Sequence, residues 1–364
     1  MKPAPLVSLC LAVRNEARFI AETLDSILGQ TLQDFEVQIF DNASDDATPE
    51  ICERYLDDPR FTLHRNAADI GQVANFNRCY GMARGRYVCL LSGNDVLAES
   101  YLEKLIAVAE ADPAVGLVAA RLKVIDESST PLTEERWVRP VYFQTNPDDP
   151  VAAGSAVVRH WRFHNYAFGV YRRSVLERLQ PLRYLFGSDA SFIYELALYA
   201  RIRVHPEPLF GLRKHNRQQV LHQTRVFSED TTYGISPISL FSHFDLMTPF
   251  IDLTWSYIET TAFARIPLPA KDRLTQAIPL IQHERVGDLI AAEVERLKSS
   301  AGATLEILRS RPETSAHRAL AHRLQIRLGR AAVIVPSDAV LSDLLRAVSD
   351  LLQPDWPGRA PPSS

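Results

Sequence analysis

Residues 7–16 read Val7-Ser8-Leu9-Cys10-Leu11-Ala12-Val13-Arg14-Asn15-Glu16, a mostly apolar run of seven broken abruptly by three polar residues. A short apolar run of this kind suits a strand buried on both faces, as in a parallel sheet. The pattern recurs downstream. Phe35 to Phe40 runs into Asp41-Asn42-Ala43-Ser44-Asp45-Asp46, and Tyr87 to Leu91 runs into Ser92-Gly93-Asn94-Asp95. Further apolar runs lie at Phe61 to His64 and Val115 to Ala120. Between the runs, Phe19, Ile20, Thr23, Leu24, Ile27 and Leu28 share one helical face, as do Leu102, Leu105, Ile106 and Ala109. Strand and helix alternating from Leu6 to about Asp126 predict βαβ units, hence an α/β, doubly wound, Rossmann-like sheet. Thr48 before Pro49 predicts one helix start, and Ser100 with Glu103 predicts another as a capping box.

Residues 126–160 are rich in Ser, Thr, Pro and Asp, with Asn146-Pro147-Asp148-Asp149-Pro150 the clearest break, and they predict a long loop or irregular insertion. A second ordered stretch follows from Phe163 to about Val220: a strand through Ala167 to Tyr171, a helix from Ala190 to Ala200, and separate strands at Ile202 to His205 and Leu209 to Lys214. We take 1–222 as one domain with halves 1–126 and 127–222. Across 223–353 strand signals fade and helical periodicity dominates, as at Ile290, Val294 and Leu297. The tail 354–364 is rich in Pro and Ser and predicts no fixed structure.

Composition narrows the class. With 364 residues at 46% hydrophobic content the chain can bury a substantial core. A net charge of −4 gives no general attraction to nucleic acid. Cys10, Cys52, Cys79 and Cys89 lack metal-site spacing and read as buried thiols. No stretch reaches the roughly eighteen apolar residues of a membrane span, which leads us to expect a cytoplasmic protein.

Open parallel sheets bind ligands at the carboxyl ends of their strands, so the polar residues after each run carry the chemistry. Singly, each cluster reads as a cap or turn; together, at three strand ends of one sheet, they read as a site. Asp41 can accept a hydrogen bond from the N–H edge of a nucleotide base. A diphosphate leaving group concentrates negative charge, which a divalent cation bridging its oxygens stabilises. Magnesium and manganese prefer oxygen ligands, and Asp95 is the carboxylate in the right place.

The first 126 residues resemble the donor-binding half of family 2 glycosyltransferases. Val7 to Glu16 resembles the family's opening strand, Glu22 to Thr31 the helix and turn after it, and Phe35 to Asp46 the second strand with its nucleotide-contacting aspartate. Asn75-Phe76-Asn77-Arg78 with Gly85-Arg86-Tyr87-Val88 resembles the helix and strand leading to the metal site. Farther on, Gly169 to Leu176 and Gly187-Ser188-Asp189-Ala190-Ser191-Phe192 resemble the region of the catalytic base, and Leu209 to His215 the strand with an Arg-x-His ending. The resemblance implies a GT-A fold and an inverting transfer. It implies Ala12, Val13, Arg14, Asn15, Asp41, Asn75 and Asn94 as donor contacts, Asp95 with His215 as ligands of Mg2+ or Mn2+, and Asp189 as the base. Its implied partners are a nucleotide-sugar donor and a carbohydrate, lipid-linked or small-molecule acceptor, in cell-surface polysaccharide, glycolipid or secondary-metabolite glycosylation. Where relatives show Asp-x-Asp-Asp, this chain has Ser92-Gly93-Asn94-Asp95, which keeps one carboxylate.

Two rivals stand beside this reading. A nucleotidyltransferase would carry a Gly-rich basic loop after the first strand, and Val13 to Glu16 has no Gly. A non-catalytic sugar-nucleotide binder would account for the depleted metal motif. Two basic features also read two ways. Arg172-Arg173 could clamp a diphosphate or stand solvated beside a helix start. Six arginines from Arg309 to Arg330, with Leu320, Leu324 and Leu328 at helical spacing, form either a solvated face over a packed stripe or an amphipathic helix on an anionic membrane, peripheral at its inner face.

Overall fold

In the computed structural model, β1 (Val7–Val13) lies between β2 (Phe35–Asp41) and β4 (Tyr87–Leu91), parallel to both. β3 (Phe61–Arg65) extends the parallel half beyond β2. On the other side, β7 (Val170–Arg172) runs antiparallel between β4 and β6 (Val115–Ile125). β8 (Arg201–Arg213) pairs in parallel with β6, and the two-residue β5 (Val96–Leu97) closes the sheet. The order of the eight strands is β3-β2-β1-β4-β7-β6-β8-β5, a mixed sheet. Register places Val13 beside Asp41 and Asp41 beside Arg65, so three strands end at one level. The structure describes residues 3–132, 142–160, 166–183, 188–214, 249–310 and 315–352.

The period of two along β1 separates two cores. Val7, Leu9, Leu11 and Val13 pack with Ile20 and Leu24 of α1 (Ile20–Leu28) and Leu102 and Leu105 of α4 (Tyr101–Ala111). Cys10 joins Phe40, Val88 and Leu90 on the opposite face with Cys79 of α3 (Gln72–Met82). Each fully buried Leu or Ile contributes about 1.5–3 kcal/mol. All four cysteines are buried and unpaired, and in this setting they act as small hydrophobes.

Two local expectations give way to tertiary partners, and two others change with the chain's own turns and prolines. Ser100 precedes α4 but its side chain makes no cap. Glu103 instead accepts from the Thr31 hydroxyl at 2.6 Å. Thr48 is the first residue of α2 (Thr48–Glu53) rather than its cap, and its hydroxyl accepts the Glu16 amide at 2.7 Å. The predicted loop 126–160 holds α5 (Pro150–His160), where Asp149 accepts the Ala152 amide at 3.0 Å and Pro150 opens the first turn. Likewise β8 is one strand, not two. Its partner register jumps between Ala120 and Leu122, and the bulged stretch carries Pro206 and Pro208, which have no N–H for a ladder.

The short α6 (Arg173–Leu176) and α7 (Ser188–Tyr199) complete the helices beside the sheet. By contacts the chain forms two units, Met1–His222 with Phe263–Leu274, and Gln223–Ala262 with Thr275–Ser364. The second unit is helical among its described residues: it holds α8 (Pro249–Phe263) up to Ala262, α9 (Leu268–Ser310) from Thr275 onward, α10 (Ser315–Ile334) and α11 (Ala339–Leu351). Its core gathers Ile290, Val294, Leu297, Leu324, Leu328, Leu341 and Val348. Leu324 and Leu328 are thus inside, so this stripe is a packing face and not a lipid-facing one. Arg330 pairs with Asp252 at 2.6 Å. Among the described residues no helix is long and apolar enough to cross a membrane. The tail 354–364 lies outside the described residues.

Candidate active site at the strand ends

The loops after β1 and β2 are stitched to each other. Asn15 donates its amide to Ser44 Oγ at 2.9 Å and accepts the Asp45 amide on Oδ1 at 2.9 Å, while Val13 O accepts the Asn42 amide at 2.9 Å. Asn15 and Ala43 both hold positive φ, 55° and 56°. That region strains a residue bearing a Cβ, so the surrounding bonds must hold it there. Asp41, fully buried, accepts the Ser44 amide at 3.2 Å and lies 3.3 Å from Arg65 Nε.

Beside it runs a ladder of buried side-chain amides. Asn42 Oδ1 accepts from Asn66 Nδ2 at 2.9 Å and from the Ile70 amide at 3.0 Å. Asn66 also donates to Asn75 Oδ1 at 3.1 Å, and Asn75 Nδ2 donates to Phe40 O at 2.8 Å. Arg78 donates to Asn66, and Arg14 pairs with Asp69. The structure therefore joins Val13, Arg14, Asn15, Asp41 and Asn75 in one polar rim, with Ala12 in the last turn of β1 behind it. Reading three strand ends overlooked the fourth: Asn66 follows β3 by the same rule, and it leads to Asp69 and to Arg78, which donates to it.

The turn Ser92 to Asp95 is drawn against β1. A Cβ on Gly93 would meet Val13 Cγ1 at 2.9 Å and Glu16 Cγ at 3.0 Å, so a side chain there would have to displace Val13 and Glu16. Asp95 is 2% exposed; Oδ1 accepts the Arg213 amide at 3.0 Å and Oδ2 the Ser92 hydroxyl. Burial pushes its carboxyl up to about 6, against the pull of those donors. Arg213, the last residue of β8, is fully buried. Its guanidinium donates to Asn94 O at 2.8 Å, Asp126 O at 3.0 Å and Glu22 Oε2 at 2.5 Å, and lies 4.8 Å from the Phe19 ring centre. Its role as an internal staple was invisible in the strand ending it was read from.

Whether this turn suits a divalent ion depends on its donors. Ser92, Asn94 and Asp95 offer oxygen alone, which fits Mg2+ or Mn2+. The Ser92 hydroxyl has the Asn94 amide oxygen as an alternative acceptor at 2.9 Å, so it can release Asp95 Oδ2. Among the described residues no three His, Cys, Asp or Glu side chains cluster as a metal cage, and His215 lies outside them. The set fits an ion held by one carboxylate.

Asp189 is the second residue of α7, partly buried, and accepts the Ala190 amide at 2.9 Å. Burial outweighs the backbone amides at the helix end and raises its carboxyl to about 6. It lies close enough to Tyr80 and Tyr171 to raise both phenols, whose own burial is the larger cause. Of the basic pair, Arg172 is structural, donating to Val115 O at 2.9 Å, and Arg173 pairs with Glu177 at 2.8 Å on the exposed side.

Residues 8–179 match the model of the glycosyl transferase family 2. An uncharacterized glycosyltransferase of Nostoc sp. is 25% identical over 227 residues, 61% of this chain and 69% of that protein. One of Methanocaldococcus jannaschii is 31% identical over 133 residues, 36% of this chain and 46% of that protein. The crystal structure of S. aureus TarS 1-349 in complex with UDP superposes with a TM-score of 0.57 at 15% identity, covering 94% of this chain and 90% of that one. A likeness at that identity speaks for the fold. Residues 8–179 thus match the family 2 glycosyltransferase model, and the mixed sheet with its polar rim at the strand ends has the GT-A fold.

Proposed function

We propose that this protein is an inverting glycosyltransferase that moves a sugar from a nucleotide diphosphate donor to an acceptor hydroxyl, with 1–222 as its catalytic domain. The observation that carries the reading is the joined rim of Val13 to Asn15, Asp41, Asn42, Asn66 and Asn75 beside the Ser92 to Asp95 turn. Fixed amides and a buried carboxylate suit the edge of a planar base, because an unmet polar edge at such a site is heavily penalised. Arg14 and Asn94 are assigned to the donor as further contacts. Asp95 is the residue to hold a divalent ion, which when bound would supply charge stabilisation to the departing diphosphate.

Asp189 is assigned as the base. A carboxyl near 6 is ionised at neutral pH yet basic enough to take a proton from the attacking hydroxyl. Inversion needs one such base and no protein nucleophile. The engagement of both Asp95 oxygens favours one rival, a binder without catalysis. Thermal stabilisation across UDP-, GDP- and TDP-sugars, followed by release of nucleotide diphosphate, separates the two. UDP-sugars head that series because TarS shares the fold and binds UDP. Stabilisation without turnover on any donor would refute the transferase reading.

A further inference from the structure

Residues 180–183 lead toward α7 and Asp189 without belonging to a helix or strand. They are tied at two points. The Gln180 amide donates to Glu195 Oε2 of α7 at 3.1 Å. Asn77 of α3 then makes a reciprocal pair with Leu182: its Nδ2 donates to Leu182 O at 2.9 Å, and its Oδ1 accepts the Leu182 amide at 2.8 Å. One side-chain amide thus acts as a strand rung between segments 105 residues apart.

The same helix faces the donor rim. Asn75 holds Phe40 O and Asn66, and Arg78 reaches Asn66. A turn further on, Tyr80 packs at 5.3 Å against Phe192 of α7 and edge-on at 6.4 Å against Tyr171, the rings near Asp189. Helix α3 therefore carries donor-side contacts at 75 and 78 and acceptor-side contacts at 77 and 80.

We propose that Asn77 is a positioning residue, whose clamp on Leu182 sets Asp189 in register with the donor site so that turnover, and not donor binding, depends on it. This rests on the assignment of Asp189 as the base. Small displacements of a reacting group can cost on the order of 10²-fold in rate, whereas a binding rim built on Asn75 and its partners is untouched by the loss of Asn77.

The test uses the full chain with Asn77→Leu, Asn77→Asp and Asp189→Asn side by side. Asn77→Leu removes both bonds at similar volume; Asn77→Asp keeps the acceptor for the Leu182 amide and sets a second acceptor against Leu182 O. UDP is the binding probe, and UDP-glucose and UDP-N-acetylglucosamine are the turnover probes with water as acceptor. Both Asn77 variants should bind UDP within about twofold of wild type, turn over roughly 10 to 100-fold more slowly, and shift the acid limb of the pH profile. Hydrogen exchange should quicken at residues 188–199 and stay unchanged at the ends of β1 and β2, a readout that needs no substrate. Unchanged exchange in α7 overturns the proposal, as does weakened UDP binding in step with turnover. If Asp189→Asn keeps full turnover the base assignment fails. If Asp189→Asn is inactive while Asn77→Leu is normal, only the role of Asn77 fails.

Discussion

Replacing Asp189 with Asn is expected to move activity and stability in opposite directions. The native carboxyl titrates near 6 rather than 3.8 because burial penalises its charge. The folded state therefore holds the proton more tightly than the unfolded chain does, so its contribution to stability is full below about pH 4 and is lost as pH rises through 6. A rise of that size corresponds to about 3 kcal/mol. Asp189 keeps partial contact with solvent, which brings the expected figure to roughly 1–3 kcal/mol. Asn keeps the shape and cannot ionise, so urea unfolding at pH 8 should show the variant more stable by that amount, with the gain vanishing near pH 4. Turnover on the same preparation should fall by about 10² to 10⁴-fold while donor affinity holds. A variant that is no more stable at pH 8 and turns over normally would refute both the buried charge and its catalytic use.

Three further outcomes can be checked independently. Donor affinity should rise with Mg2+ or Mn2+ above pH 6, where Asp95 is ionised, lose that gain below it, and lose it at all pH in Asp95→Asn; equal affinity in chelator would remove the metal role. Arg213→Met should destabilise by about 2–4 kcal/mol in urea titration, since it removes the buried donors to Asn94 O and Asp126 O, while Glu22 stays solvated; a loss under 1 kcal/mol would mean the staple is dispensable. Gly85→Ala would place a Cβ 2.5 Å from the Ser8 amide nitrogen and 2.8 Å from Tyr87 O, backbone atoms that cannot swing aside, so a cost of about 1–3 kcal/mol and a lower Tm are expected.

The parallel half of the sheet was legible because strands buried on both faces read as apolar runs, nearly continuous in β1 and β4 and interrupted by Glu36 and Gln38 in β2, and the three strands begin and end within a residue of where those runs do. Features set by distant partners were not. Ser100 and Glu103 have capping-box spacing, yet Thr31 takes the Glu103 carboxylate, and nothing near residue 100 announces that competitor. Asp149-Pro150 reads equally as a break and as a helix start, and only the face of α5 packed on its neighbours selects the second. An arginine at a strand end is ordinarily read as solvent-facing. Three oxygen partners, near residues 22, 94 and 126, are what let Arg213 lie inside.

That arginine also bears on when the protein can be finished. The Arg213 amide meets Asp95 across 118 residues, and its side chain meets Glu22 across 191. A chain growing from its amino end can lay down β1 to β4 long before Arg213 exists. Until residue 213 leaves the ribosome and folds back, Asp95 Oδ1 and the Asn94 carbonyl lack the bonds that Arg213 donates, and such long closures are slow to form. Nascent chains halted before β8 should thus present the parallel half of the sheet and an unfinished Ser92 to Asp95 turn, open to proteases at that turn and closed once β8 is in place.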